Sequence, residues 1–273
     1  MNSRRSSGRH AGPGLERCDM REIIYGINPV AEALAARRRT FYRIIVSEKK
    51  RNRRIIDIKA IAENAGIDIR KVSHERLSSL IGHESHQGIA AETSGFPVSG
   101  LDRLLYEIRE METQNAPLML LADSISDTGN LGAIIRTAVC ANASAVIIPK
   151  NRSAQPTPAV SKASAGAMEH ARICRVPNLS NAISKLKKEG FWIIGMDMNA
   201  ESTIYETDMT GPVGLVIGGE DSGIRPLVRN YCDFICRIPQ TGPINSLNTS
   251  AACAVAIYES VRQKYAKGRT NGR

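Results

Sequence analysis

Three polar stretches in the second half of the chain carry the side chains best suited to chemistry, and each follows an apolar run. The first, residues 123–130, ends in Asn130 and leads to Arg136, about one and a half helical turns further on. On the first turns of a helix an arginine points back toward the strand ends, where its planar fork can grip a phosphate or carboxylate. A plain surface arginine is the alternative. The second is Gly218-Gly219-Glu220-Asp221-Ser222-Gly223. Two glycines at the end of an apolar strand let a ligand or another backbone come close. Glu220 breaks the glycine fingerprint of dinucleotide sites, and no phosphate-loop lysine pattern is present. The acidic pair Glu220 and Asp221 disfavours a naked phosphate at this turn. The third, residues 237–250, passes Ile238, Pro239, Gly242-Pro243, Ser246, Leu247 and Asn248 into an alanine-rich segment. A strand, a Gly/Pro loop and a small-residue helix form a ligand-site layout, although Asn130 and Asn248 also suit plain helix capping.

The elements that must position these residues follow from periodicity. Strands are predicted at 118–123, 145–149, 173–176, 191–196, 213–218 and 233–238. Helices are predicted at 131–141, 159–171, 181–189 and 226–231, with a long last helix from about 248. On that helix Leu247, Ala251, Val255, Tyr258, Val261 and Tyr265 are predicted to share one face. Such alternation means a mostly parallel sheet with helices on both faces. The first half reads as a smaller α/β unit. A helix carries Val30, Ala33 and Leu34, strands lie at 41–47, 67–72 and 86–92, and a helix at 52–64 points Ile55, Ile58, Ile61 and Ala62 inward. Residues 96–100 read as a linker, and a helix at 101–111 as lying between the halves. The expected organisation is a basic tail (1–21), a first domain (22–95), a linker (96–116), a second domain (117–267) and a tail (268–273).

The order and spacing of the three stretches resemble the signature motifs of the SpoU (TrmH) family, RNA ribose 2′-O-methyltransferases of the SPOUT class. The likeness runs over roughly 117–265, and the stretches at 150–155 and 161–167 are also similar to the family. The segments 25–30 and 86–89 resemble the ribosomal-protein-like RNA-binding domain of the RlmB branch, which modifies a guanosine of 23S rRNA. Thr128-Gly129 depart from the Pro and larger polar residue usual before the asparagine. The resemblance alone implies a trefoil-knotted C-terminal domain, S-adenosyl-L-methionine as cofactor and a homodimer formed through the knot domain. Loops around Gly218, Ile238 and Leu247 would hold the cofactor. Arg136 would be the catalytic arginine, as a base by the family proposal. A guanidinium stays protonated, however, so it could instead hold a phosphate, with Glu220 or water taking the proton. Asn130, Ser246 and Asn248 would orient the hydroxyl, the ribose or the loops. The partner implied is RNA, 23S rRNA or a pre-ribosomal particle. Transfer RNA as substrate and a non-catalytic dimeric RNA-binding protein are the alternatives.

Composition agrees with a polyanionic partner. The 273 residues carry 37 Lys and Arg against 27 Asp and Glu, a net charge of +10. Nine cations lie between Arg37 and Arg54 against the single acid Glu48, an electrostatic footprint for RNA or a solvated face. Aromatic residues make up only 4%, which favours recognition of backbone and shape over base stacking. The six cysteines form no CxxC pair and are expected to be core thiols in a reducing cytoplasm. His83 and His86 lack zinc-ligand spacing, so no metal is expected. No apolar run reaches the ~18 residues of a membrane span.

Overall fold

The computed structural model describes residues 20–48, 52–110, 116–220, 223–244 and 246–270. The basic tail up to residue 19, Lys49, Lys50, Arg51, residues 111–115, Asp221, Ser222, Asn245 and residues 271–273 of the expected C-terminal tail lie outside it.

The first unit is a four-stranded sheet in the order β1-β4-β2-β3. Its strands are β1 (Arg21–Tyr25), β2 (Phe41–Ser47), β3 (Asp68–Val72) and β4 (Ile89–Ser94). β4 runs antiparallel to β1 and β2, and β3 parallel to β2. Helices α1 (Ile27–Ala36) and α2 (Arg53–Asn64) flank it, with Asn52 accepting from the Arg54 amide as cap. Two elements were not anticipated: β1, and α3 (His74–Ile81), capped by Ser73. Ile55, Ile58 and Ala62 point inward as expected, but Ile61 is exposed.

The second unit is a seven-stranded parallel sheet in the order β7-β6-β5-β10-β8-β11-β9. Its strands are β5 (Leu118–Asp123), β6 (Ala145–Pro149), β7 (Ile173–Val176), β8 (Trp192–Met196), β9 (Ser202–Thr203), β10 (Val213–Gly218) and β11 (Phe234–Arg237). Every residue of β5, β6 and β10 is buried, as strands covered on both faces require. Alternation divides the core. Leu118, Leu120, Ala122, Val146, Ile148, Leu215 and Ile217 face one cluster. Met119, Leu121, Ala145, Ile147 and Val216 face the other. Each fully buried Leu or Ile contributes about 1.5–3 kcal/mol. Helices α5 (Thr128–Cys140), α6 (Pro158–Ala163) and α9 (Thr249–Thr270) cover the first face. Helices α4 (Leu101–Arg109), α7 (Leu179–Lys188) and α8 (Pro226–Arg229) cover the second. The α5–α6 crossing needs Gly132, because a Cβ there would lie 2.5 Å from Ala163 Cβ.

One expectation is corrected. The helix predicted at 159–171 is broken: α6 ends at Ala163, Ala165 and Gly166 turn left-handed, and a 3-10 turn covers Ala167–His170. In the segment 96–100, Phe96 and Val98 are buried and Ser99 pairs with Cys174. On α9 the small residues Cys253, Ala256 and Ile257 pack inward. Val255, Tyr258 and Tyr265, predicted to share one face, lie on its exposed side.

A buried ion pair ties the two units together. Arg39 has no exposed side-chain surface; it donates to Glu169 at 2.7 Å and to Glu22 at 2.6 Å. Ser161 donates to the other Glu169 oxygen, and both Arg38 and Arg39 stack on Phe96. Arg43 pairs with Glu92. Part of the predicted basic cluster is therefore structural.

Candidate active site

The ends of β5 and β10 are neighbours, with Gly218 opposite Asp123. The chain leaves β5 toward β6 on one side and β10 borders β8 on the other, so a crevice opens at the carboxyl ends of these strands. Asp123 is buried and binds Arg225 three ways, from the backbone amide (2.9 Å), Nε (2.7 Å) and a terminal nitrogen (2.6 Å). This pair locks the loop after β5 to the turn after β10. Sequence reading missed it; the only signal is an arginine just past the glycine turn.

Three predicted residues meet here. Asn248 Nδ2 donates to Glu220 Oε1 at 2.6 Å and to Asn130 Oδ1 at 3.0 Å. Asn130 Nδ2 donates to the same Glu220 oxygen at 2.9 Å. Each is positioned by its own element. Asp127, not Asn130, caps α5 by accepting from the Asn130 amide, so the Asn130 side chain is left for Glu220. Asn248 caps the start of α9 with Oδ1, accepting from Ser250, while its amide group faces the site. Capping and site roles thus coexist. Thr249 adds a hydrogen bond from Oγ1 to the Gly218 carbonyl at 2.6 Å. Glu220 Oε2 has no hydrogen-bond partner among the described residues. A small cavity of about 70 Å³ adjoins the cluster, lined by Ser124, Ile125, Ser126 and Gly219 among others.

The remaining predicted residues sit differently. α5 begins at Thr128, so Arg136 is its ninth residue and lies about 9 Å along the axis from Asn130. It is exposed and makes no hydrogen bond or ion pair with the described residues; it is not on the first turns as expected. Ser246 is likewise exposed and unbonded among the described residues. Gly218 is buried, and a Cβ on it would lie 2.0 Å from the Gly223 carbonyl carbon. Its missing side chain makes room for the 219–223 turn, not directly for a ligand. Ile238 is half-buried against the core, while Ile244 and Leu247 are exposed in the loop that follows. In that loop Gln240 Oε1 is buried with no partner among the described residues. Apolar side chains and an orphaned acceptor in one stretch of chain fit a nucleoside such as the adenosyl group of S-adenosylmethionine. Among the described residues no His, Cys, Asp and Glu cluster could hold a metal ion, and no described helix is long and apolar enough to cross a membrane.

The comparisons decide what this arrangement belongs to. Residues 117–258 match the family model described as SpoU rRNA methylase. The chain is 37% identical over 246 residues to 23S rRNA (guanosine-2′-O-)-methyltransferase RlmB of Pseudomonas putida, covering 90% of this chain and 98% of that one. The chain belongs to the SpoU rRNA methylase family. Residues 23–98 of this SpoU protein match the model of the RNA 2′-O ribose methyltransferase substrate-binding domain. It is also 38% identical to RlmB of Coxiella burnetii, over 89% of this chain and 96% of the other. The crystal structure of the SpoU methyltransferase AviRb from Streptomyces viridochromogenes with AdoMet shares the fold, with a TM-score of 0.74 at 21% identity over 90% of this chain and 91% of that one.

Proposed function

We propose that this SpoU family protein methylates the ribose 2′-hydroxyl of a guanosine in 23S rRNA, acting in the cytoplasm. The observation that carries the reading is the junction of Asn130, Glu220 and Asn248 at the carboxyl ends of β5 and β10, in a chain similar along nearly its whole length to enzymes of that name.

S-adenosylmethionine supplies the methyl group from its sulfonium when bound, and Ile238, Gln240, Leu247 and the backbone beside Gly218 are the residues suited to hold it. A ribose hydroxyl attacks only as it gives up its proton, and a positioned base is worth roughly 10²–10⁴-fold. Glu220 is the base in this reading: Asn130 and Asn248 fix one carboxylate oxygen and leave the other open. Arg136 stays protonated and serves by gripping a backbone phosphate and stabilising charge on the reacting oxygen. Ser246 orients the ribose.

In this reading the two units divide the labour. Residues 22–95 find the RNA through Arg37, Arg53 and Arg54, exposed cations of the cluster, while the exposed Arg38 donates to the Ala171 carbonyl of the second unit; residues 117–267 do the chemistry. A homodimer forms through the exposed face of α9, where Tyr258 is 49% and Tyr265 67% exposed. α9 packs on α5, the helix that carries Arg136. The trefoil knot remains part of the proposal, supported by the family and by the tie from Thr249 to Gly218.

The test is transfer of labelled methyl from S-adenosylmethionine to deproteinised 23S rRNA, to pre-ribosomal particles and to tRNA. Nuclease digestion should yield 2′-O-methylguanosine from the ribosomal substrates. Label only in tRNA would move the substrate, and RNA binding without transfer to any of them would make this a non-catalytic binder.

A further inference from the structure

We propose that a cavity beside β7 binds backbone phosphate of the same RNA strand that is methylated, at nucleotides flanking the target. The cavity holds about 360 Å³ between the 98–102 segment and the turn from β7 into α7. The proposal rests on the reading of the protein as an RNA methyltransferase and adds a substrate subsite to it.

Position is the first argument. β5, β6 and β7 are adjacent and parallel, and Pro149 pairs with Val176. The loops leaving these strands therefore emerge at one end of the sheet. The cavity lies two strands from the Asp123 loop, about 10 Å at ordinary strand spacing. The two places are physically joined. Lys150 lines the cavity and opens the 150–154 loop; at the loop's far end the Ala154 amide donates to the Ile125 carbonyl at 2.7 Å. Ile125 lines the small cavity at the Glu220 cluster.

Charge and hydrogen-bond donors are the second argument. Lys150, Arg175 and Lys185 line the cavity against one carboxylate, Asp102, which Lys185 meets at 2.7 Å. The lining thus carries three cationic side chains to one carboxylate. Two helix starts border it as well. α7 begins there with Asn178 as cap and Asn181 in its first turn. α4 begins at Gly100, which offers no side-chain cap, so the first amides of that helix keep their donors. Helix starts favour anions. The lining contains no aromatic ring on which a base could stack. A cation-rich cavity without a stacking surface recognises phosphate, not base.

Lys150 and Lys185 are exposed, so Lys150→Gln, Lys185→Gln and the double variant should fold. The probe is a 23S rRNA transcript that the wild-type protein binds. Its affinity is measured directly at several salt concentrations, apart from turnover. Each lost phosphate contact should flatten the slope of log affinity against log salt by about 0.7–0.9. The double variant should therefore lose between one and two units of slope. The KM for RNA should rise about tenfold, with kcat within twofold and S-adenosylmethionine affinity unchanged. Asp102→Asn, which removes the one negative charge, should shift RNA affinity the other way. Unchanged slope and KM in the double variant overturn the subsite. So does binding of inorganic phosphate at the cavity that leaves RNA affinity unchanged, which would make it a site for a small free anion. Wild-type protein that binds RNA but transfers no methyl group overturns the functional reading alone, because the slope comparison does not use turnover.

Discussion

Asn248 Nδ2 lies 2.6 Å from Glu220 Oε1, across 28 residues of chain, while the other end of the Asn248 amide caps α9. One side chain thus starts the last helix and holds the carboxylate of the candidate site. The arrangement separates two roles of Glu220. Glu220→Gln keeps an oxygen to accept from Asn130 and Asn248 but cannot take a proton. If Glu220 is the base, this variant loses roughly 10²-fold or more in kcat with cofactor affinity intact. Single-turnover methyl transfer checks it. Activity near wild type would hand the proton to water.

Arg136 is exposed and unbonded among the described residues, so Arg136→Ala should cost almost no stability. Methyl transfer should fall by about 10²-fold or more, as for an interaction used on the substrate or in the transition state. S-adenosylmethionine binding, read by calorimetry, should not move. A parallel fall in cofactor affinity would make Arg136 a cofactor ligand.

Gly218→Ala is expected to be severe despite its small size. The added methyl would meet the Gly223 backbone, and backbone cannot swing aside as a side chain can. The turn carrying Glu220 must shift, at a cost of about 1–3 kcal/mol by analogy with overpacked cores. Urea unfolding should show the loss, and methyl transfer should fall with it. Wild-type stability would mean that the turn has slack that its packing does not suggest.

Arg39→Ala removes the partner of a fully buried carboxylate, Glu169. Breaking such a pair on one side typically costs about 3–5 kcal/mol. The double change Arg39→Met with Glu169→Met should recover most of that. Unfolding of the two variants, with limited proteolysis between residues 94 and 101, reads both the stability and the docking of the two units. Equal stability of Arg39→Ala and wild type would mean that the interface holds without this pair.

Burial pushes the thiols of Cys174, Cys232 and Cys253 up to about 12, and that of Cys236 to about 11. Their folded values lie above the unfolded one, near 8.5. The unfolded chain therefore loses protons first, and stability present below about pH 8.5 declines as pH rises toward 11. Lys264 works in the opposite sense. Burial pulls its ammonium down to about 8, so it favours the fold increasingly as pH climbs from 8 toward the usual lysine value near 10.4. Melting wild type and Cys253→Ala between pH 7 and 10.5 isolates one thiol: the variant should show the shallower alkaline decline. Parallel curves would mean that Cys253 ionises as freely in the fold as outside it.

What the chain revealed by itself was local. The apolar run of β5 between turn signals read as a strand covered on both faces, and polar stretches at strand ends marked candidate loops, from which the family resemblance singled out Asn130, Glu220 and Asn248. Short elements escaped because they carry too few residues for a period to show, as with β1 at Arg21–Tyr25 and α3 at His74–Ile81. On α9 the periodicity marked one face without saying which way that face turns. Apolar spacing cannot tell a core face from an exposed one, and the small Cys253 and Ala256 were the residues that could approach the sheet. The pairings that build the site and join the units span long separations: Asn130 with Glu220, 90 residues; Asp123 with Arg225, 102; Arg39 with Glu169, 130. No local pattern encodes such pairs. The two pairs at the site exist because the sheet inserts β10 next to β5, and the third because the first unit packs on the turn after α6. Strand order and docking are decided by which buried faces fit together, and only the tertiary structure shows that.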